Sequence, residues 1–314
     1  MPSDCLAAVD MGTNSFHLII VKLKKDGSFK LIDREKEVIR LGSHEGKDLS
    51  VISSDEIKNA VKILSRFKKL AQYYNAKMRA VATSAVRESH NQNEFLEAVF
   101  RLTGIEVEVI KGRHEAELIY RGASKALPLD NKKVLCVDIG GGSTELVFGN
   151  KGKAVFAESI KVGAVRLSKK FFPDFLISEK AVKECEQYID EHLKSKHNLL
   201  FDEDYDFAVG SSGTIQSVAA LINYSKNNKP LGKMNGFTFS NKELYSVVDQ
   251  IIMRTTTEER LKIKGMEPKR ADIIPAGILI LKKTFELFKL KEITISEFAL
   301  REGIILEMLD KIGK

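Results

Sequence analysis

The sequence predicts an α/β protein made of two related domains around a shared cleft. Three observations predict it. The chain has 314 residues, and a prior of roughly 150 residues per domain divides it in two. Apolar strand-like runs alternate with amphipathic helical stretches along its length. One pattern also occurs twice: Asp10-Met-Gly-Thr-Asn-Ser15 and Asp138-Ile-Gly-Gly-Gly-Ser143, 128 residues apart (138 − 10). In each copy an apolar strand delivers an aspartate, a Gly-rich turn follows, then a hydroxyl, then a returning strand.

Each element has its own signal. Cys5 to Met11 is a short apolar run ending in Asp and Gly, a buried strand. Phe16 to Lys24 and Phe29 to Ile39 follow as strands, joined by an Asp26-Gly27 turn. Glu56 to Tyr74 is a helix with Ile57, Val61, Leu64, Phe67, Leu70 and Ala71 on its apolar face. Ser53 and Glu56 form its capping box, and Asn75 can end it. Lys77 to Ala82 and Ile105 to Ile110 read as strands, Asn93 to Thr103 and Arg113 to Ala126 as helices, with Gly104 stopping the first. The second half opens with a strand from Val134 to Ile139. Strands at Thr144 to Phe148, Val155 to Val162, Phe207 to Val209 and Glu292 to Ile295 accompany helices at Glu179 to Lys194, Thr214 to Tyr224, Asn241 to Met253, Pro268 to Phe288 and Leu300 to Leu309. Ser178, Ser240 and Thr255 are candidate caps, the last two with Glu243 and Glu258 three residues on. Lys226 to Lys233 is polar and reads as a mobile loop. Pro128 closes the first half, so the expected domains are 1–126 and 127–314, the last helix being a candidate to pack back on the first.

Bulk properties exclude several classes. Composition is ordinary for a globular chain, at 43% hydrophobic and 30% charged residues. No apolar run of about 18 residues exists, so no transmembrane helix is expected, and the polar Met1-Pro-Ser-Asp4 start gives no export signal. Cys5, Cys136 and Cys185 have no metal-type spacing and read as reduced thiols of a cytoplasmic protein. Lys and Arg number 50 against 43 Asp and Glu, a formal charge of +7. That suits an anionic partner, although lysine used for solubility explains it equally well. Aromatics are 8%, Trp is absent, and no nucleic-acid motif is present, so no nucleic-acid or membrane partner is expected.

The repeated hairpins carry the chemistry. A Gly-rich turn exposes successive backbone N–H groups, a nest for phosphate oxygens. Gly140, Gly141 and Gly142 allow close backbone approach, and Asn14, Ser15, Ser143 and Thr144 add polar side chains. Asp10 and Asp138 stand where a carboxylate can hold Mg²⁺, directly or through water. A bare β-hairpin without ligand is the alternative for either copy alone; two copies in one chain argue against it. Gly210-Ser-Ser-Gly-Thr214 follows a strand and opens a helix, a place for an anion or an ordinary turn. Arg87 follows Lys77 to Ala82 and can grip phosphate or be a solvated arginine. Glu115 and Glu117 open a helix, where capping electrostatics account for both. His114, His192 and His197 lack metal spacing.

Together these stretches resemble the exopolyphosphatase/guanosine pentaphosphate phosphohydrolase (Ppx/GppA) family of the actin-like ATPase superfamily. The resemblance rests on Ala8-Val-Asp-Met-Gly-Thr-Asn-Ser-Phe16, Ala82-Thr-Ser-Ala-Val-Arg87, Lys111-Gly-Arg-His-Glu-Ala-Glu-Leu-Ile119, Val137-Asp-Ile-Gly-Gly-Gly-Ser-Thr-Glu145, Gly210-Ser-Ser-Gly-Thr214 and Leu300-Arg-Glu-Gly303. They keep the family's order and span nearly the whole chain. It implies two ribonuclease-H-like (actin-like) domains around a central cleft. It implies that Glu115 is the catalytic glutamate, orienting or deprotonating the attacking water, which overrides the capping explanation. It implies that Gly12, Thr13, Asn14 and Ser15, with Gly140, Gly141, Gly142, Ser143, Arg87, Ser211, Ser212, Gly213 and Thr214, hold the phosphate chain. Asp138 and Asp10 are the implied metal carboxylates for Mg²⁺ or another divalent cation, and Glu145 either joins the metal or orients water. The chain departs from the family in having His114 where many relatives carry a second glutamate, in an irregular Leu41-Gly-Ser-His-Glu-Gly-Lys47, and in ending after the second domain.

The expected activity is exopolyphosphatase: release of terminal orthophosphate from inorganic polyphosphate. Guanosine pentaphosphate 5′-phosphohydrolase, or an alarmone- or nucleotide-binding sensor with little turnover, are the alternatives. A kinase of the same superfamily would need an adenosine pocket and an acceptor. A homodimer is compatible with the resemblance.

Overall fold

The protein is described by a computed structural model over residues 4–42, 50–200 and 205–312, with the side chains of 196–200 outside that description. The irregular stretch noted above falls outside it from position 43 onward, as does the His197 side chain. The chain forms two compact units, 1–122 with 300–314, and 123–299.

In the first unit, β1 (Cys5–Met11), β2 (Ser15–Leu23) and β3 (Phe29–Val38) form an antiparallel meander. The turn into β3 uses Gly27 at φ +77°, a conformation glycine adopts without strain. Helix α1 (Ser54–Tyr73) starts with the expected Ser53–Glu56 capping box and leads into β4 (Lys77–Ala82), parallel to β1. One helical turn, α2 (Ser84–Arg87), then α3 (Gln92–Thr103), β5 (Val107–Val109) and α4 (Gly112–Ala126) follow. Sheet order is β3-β2-β1-β4-β5. One core joins Val9, Met11, Phe16 and Leu18 of the sheet to Leu64 and Phe67 of α1 and Phe95 of α3.

In the second unit, β6 (Lys133–Ile139), β7 (Thr144–Asn150) and β8 (Lys153–Ile160) repeat the meander. Then come α5 (Ala164–Phe171), α6 (Glu179–Leu200), β9 (Phe207–Ser211), α7 (Ser212–Asn227), β10 (Thr238–Ser240), α8 (Asn241–Ile252), α9 (Thr257–Leu261), α10 (Ile274–Leu287) and β11 (Glu292–Ile295). Sheet order is β10-β11-β9-β6-β7-β8. Stripped of β10, this is the first unit's order again: a meander whose first strand pairs in parallel with the next. The duplication seen in two short motifs therefore extends through both sheets, and each unit has the ribonuclease-H-like arrangement. The last helix, α11 (Leu300–Ile312), belongs to the first unit and packs on β1.

Two expectations shift. The cap expected at Thr255 with Glu258 sits one residue later, at Thr256 with Glu259; the Thr255 carbonyl is already taken by the Ile177 N–H, at 3.0 Å. The helix expected from Pro268 begins at Ile274, after a 3₁₀ turn at Pro268–Arg270. Pro275 has no N–H and fits only a first turn. The Ala271 carbonyl is also diverted to Arg260 Nε, at 2.6 Å. Arg260 is fully buried and its guanidinium also binds the Arg254 and Phe175 carbonyls. A buried cation is tolerated there because its donors are occupied.

Candidate functional site

The two hairpins share one backbone turn. Gly12 N–H donates to Ser15 O at 3.2 Å, and Gly140 N–H to Ser143 O at 2.9 Å. A Cβ at Gly12 would lie 3.1 Å from Ser15 O, and at Gly140 3.1 Å from Ser143 O. Their side chains differ. In the first hairpin Thr13 and Asn14 are buried, at 3% and 7% exposure. Neither Thr13 Oγ1 nor Asn14 Oδ1 finds a hydrogen-bond partner among the described residues. Two orphaned polar atoms in one turn are costly, and a bound polar ligand would satisfy them.

Arg87 and Glu115 meet in the same unit. Arg87 closes α2, which begins where Thr83 N–H donates to Met11 O at the end of β1. Glu115 stands in the first turn of α4, 5% exposed. Arg87 Nη1 donates to Glu115 Oε2 at 2.7 Å and to the Ile110 carbonyl at 3.1 Å. Arg87 thus projects from a one-turn helix rather than directly from a strand. Glu115 is more than a capping charge, because its carboxylate is buried against a guanidinium. Glu117, the other acid of this turn, pairs outward with Arg113. His114 Nε2 lies 3.2 Å from Glu307 Oε1 of α11, a carboxylate also held by Arg79.

In the second unit Asp138 and Glu145 are register partners on β6 and β7, so both carboxylates lie on one face. They are 9% and 2% exposed. Ser211 Oγ donates to Asp138 Oδ2 at 2.5 Å. Ser143 Oγ and Ser159 Oγ both donate to Glu145 Oε1, at 2.7 Å each. Ser212, at φ +86°, accepts the Ile139 N–H at 3.2 Å. Thr144 Oγ1 donates to the Val162 carbonyl at 2.6 Å. The glycine run is braced by α5, whose Ala164 and Val165 N–H groups donate to the Gly140 and Gly141 carbonyls at 2.9 and 2.8 Å. A Cβ at Gly163 would lie 2.5 Å from Gly141 O, which explains the glycine there.

Among the described residues no three His, Cys, Asp or Glu side chains group as a metal site. The second hairpin still fits a hard divalent cation. Two buried carboxylates in a cross-strand pair, Cβ atoms about 5 Å apart, repel one another unless a cation or proton intervenes. Mg²⁺ commonly takes one or two carboxylates and completes its shell with water and phosphate. Asp10 faces His17 instead, so the first hairpin has no such pair.

Three residues escaped the sequence reading. His17 occupies in the first hairpin the register position of Glu145 in the second, and the repeat offset was the available signal. Arg301, in the quoted Leu300-Arg-Glu-Gly303 stretch, reaches His17. Arg270 is 8% exposed and covers Gly213 so closely that a Cβ there would collide with its guanidinium. Gly213 thus lies beneath a cation at the head of α7.

Duplicated ribonuclease-H-like units bearing hydroxyl-rich hairpins, a buried glutamate paired with a half-buried arginine, and a carboxylate pair define a class of protein equipped to handle phosphate. The chain belongs to the Ppx/GppA phosphatase family, whose model matches residues 20–312. A Haemophilus influenzae protein provisionally named an exopolyphosphatase is 30% identical over 305 residues, covering 96% of this chain and 91% of that one. A Vibrio parahaemolyticus guanosine-5′-triphosphate,3′-diphosphate pyrophosphatase is also 30% identical, over 311 residues; the match spans 99% of this chain but 60% of the longer relative. The crystal structure of an exopolyphosphatase from Cytophaga hutchinsonii superposes with a TM-score of 0.88 at 29% identity, covering 98% of each chain. No helix among the described residues is long and apolar enough to cross a membrane.

Proposed function

We propose that the chain is an exopolyphosphatase, releasing orthophosphate from the end of inorganic polyphosphate with Glu115 as general base. The observation that carries this is the buried Glu115 of α4 paired with the half-buried Arg87 of α2. A carboxylate held by a guanidinium is a poor base, but a terminal phosphate offers Arg87 a more highly charged partner. As Arg87 turns to the phosphate, Glu115 is released to take a proton from water. The water oxygen bonds to the terminal phosphorus as the phosphoanhydride bond breaks. The leaving oxygen stays with the shortened chain, and orthophosphate departs. Thr13 and Ser15 hydroxyls, the hairpin N–H groups and Arg87 position the phosphate, and positioning with electrostatics supplies most of the acceleration.

Asp138 and Glu145 of the second unit would hold Mg²⁺, which would supply charge neutralisation to a bound phosphate; Asp10 is the candidate carboxylate of the first unit. The reading places the enzyme in the cytoplasm, supported by three free cysteines. Guanosine pentaphosphate is the second reading, favoured by the equal 30% identity to the Vibrio pyrophosphatase. Orthophosphate release measured side by side on short polyphosphate, long polyphosphate and guanosine pentaphosphate decides. Faster release from polyphosphate supports the first reading, faster release from pentaphosphate the second. Binding without release from any of them would show a sensor and refute both.

A further inference from the structure

The two hairpins repeat in backbone but are wired in opposite senses. In the second, Ser143 gives its hydroxyl proton to Glu145 Oε1 at 2.7 Å, because a carboxylate can only accept. In the first, the equivalent Ser15 Oγ lies 2.8 Å from His17 Nε2. The other ring nitrogen, Nδ1, lies 3.4 Å from Arg301 Nη1. Guanidinium can only donate, so Nδ1 accepts, and the neutral ring carries its proton on Nε2. His17 therefore donates to Ser15 Oγ, and the Ser15 proton is left to point elsewhere.

We infer that His17 is a positioning residue: with Arg301 against Nδ1 favouring the Nε2–H tautomer, it turns the Ser15 hydroxyl into a donor toward phosphate oxygen. Glu145, at the matching register position, does the reverse to Ser143 and leaves its oxygen as an acceptor. The first hairpin is thereby wired for an anion. The orphaned Thr13 hydroxyl beside Ser15 offers a second donor from the same turn. This inference rests on the reading that the first hairpin binds the phosphate chain.

The test compares His17→Gln with His17→Glu, which share a shape but differ in whether they donate or accept at Ser15. Each is made in the parent and in Ser15→Ala. Two quantities are read: equilibrium binding of short inorganic polyphosphate without divalent cation, and KM and kcat for orthophosphate release with Mg²⁺. Cooperative thermal unfolding confirms that each variant folds, and His17→Asn serves as a second donor variant. One hydrogen bond to a charged group corresponds to about ten- to hundredfold in affinity. His17→Glu should weaken binding by that factor relative to His17→Gln, act on KM more than on kcat, and lose most of its effect in Ser15→Ala. A Glu-to-Gln gap of the same size in Ser15→Ala would show simple charge repulsion and overturn the inference. So would equal binding by the two variants. A parent protein that binds no polyphosphate and releases no phosphate would instead refute the functional reading on which the inference rests.

Discussion

Replacing Gly303 by alanine should disturb both the stability of the first unit and the position of its proposed base. Gly303 lies in the first turn of α11 and faces the backbone of α4. A Cβ there would sit 2.6 Å from the Leu118 carbonyl carbon and 3.0 Å from its Cα, with the carbonyl oxygen nearer still. Carbon contacts are comfortable at about 3.5–4.0 Å, so the helices must separate by about 1 Å. The obstacle is backbone, which no rotamer change relieves. Overpacking of this kind costs about 1–3 kcal/mol, or a fall of roughly 2–4 °C in Tm per kcal/mol for a unit of this size. Leu118 is one turn beyond Glu115 on α4, so the shift carries to the base. A displacement of about 1 Å can cost up to about a hundredfold in rate. The assay is thermal unfolding together with orthophosphate release. Gly232→Ala, where no atom lies within 4 Å of a built Cβ, is the control. A Gly303→Ala protein as stable and as active as that control would refute the close-packing account.

Arg87→Lys should raise KM for polyphosphate about tenfold, since lysine cannot grip phosphate through a planar fork; steady-state kinetics checks it. Burial alone would raise the Glu307 carboxyl, but the Arg79 hydrogen bond and charge, with His114 and Lys311, outweigh it and hold it below its ordinary 4.5. A depressed folded value stabilises above the unfolded value and is lost as pH falls through the folded one. Parent stability should therefore drop more steeply below about pH 4.5 than that of Glu307→Gln, as read by denaturant midpoints against pH. Burial pushes the Cys185 thiol up to about 12 and raises Cys136 as well. An alkylating reagent at pH 7.5 should thus label Cys5 alone in the native protein and all three thiols after denaturation, as counted by mass spectrometry.

The sequence was most legible where local chemistry agrees with the fold. Cys5 to Met11, Lys77 to Ala82 and Glu292 to Ile295 are strands with the expected bounds, because each is a short stretch that ends in buried apolar residues and is closed by a turn or helix signal. The Ser53–Glu56 and Ser240–Glu243 boxes mark α1 and α8, since a cap needs only residues three apart. What escaped depends on contacts distant in sequence. Helix α5 spans only eight residues, too few to establish a helical period, and its place is set by amides that bind the carbonyls of Gly140 and Gly141. Strand β10 is three residues long and exists through pairing with β11. At the site, Asp10, Asp138 and the glycine turns were visible as a repeat. The burial of Glu115 against Arg87 and the engagement of Ser211 with Asp138 were not, because side chains 28 and 73 residues apart must first be brought together.

The central claim is that Glu115 activates the attacking water. Its most direct test is Glu115→Gln, measured for orthophosphate release from short polyphosphate with Mg²⁺ and for polyphosphate binding without it. Loss of a general base should lower kcat by about 10²–10⁴-fold. Binding should be kept or strengthened, because a neutral amide competes less for Arg87. A folded variant that releases orthophosphate at a rate close to the parent would contradict the account.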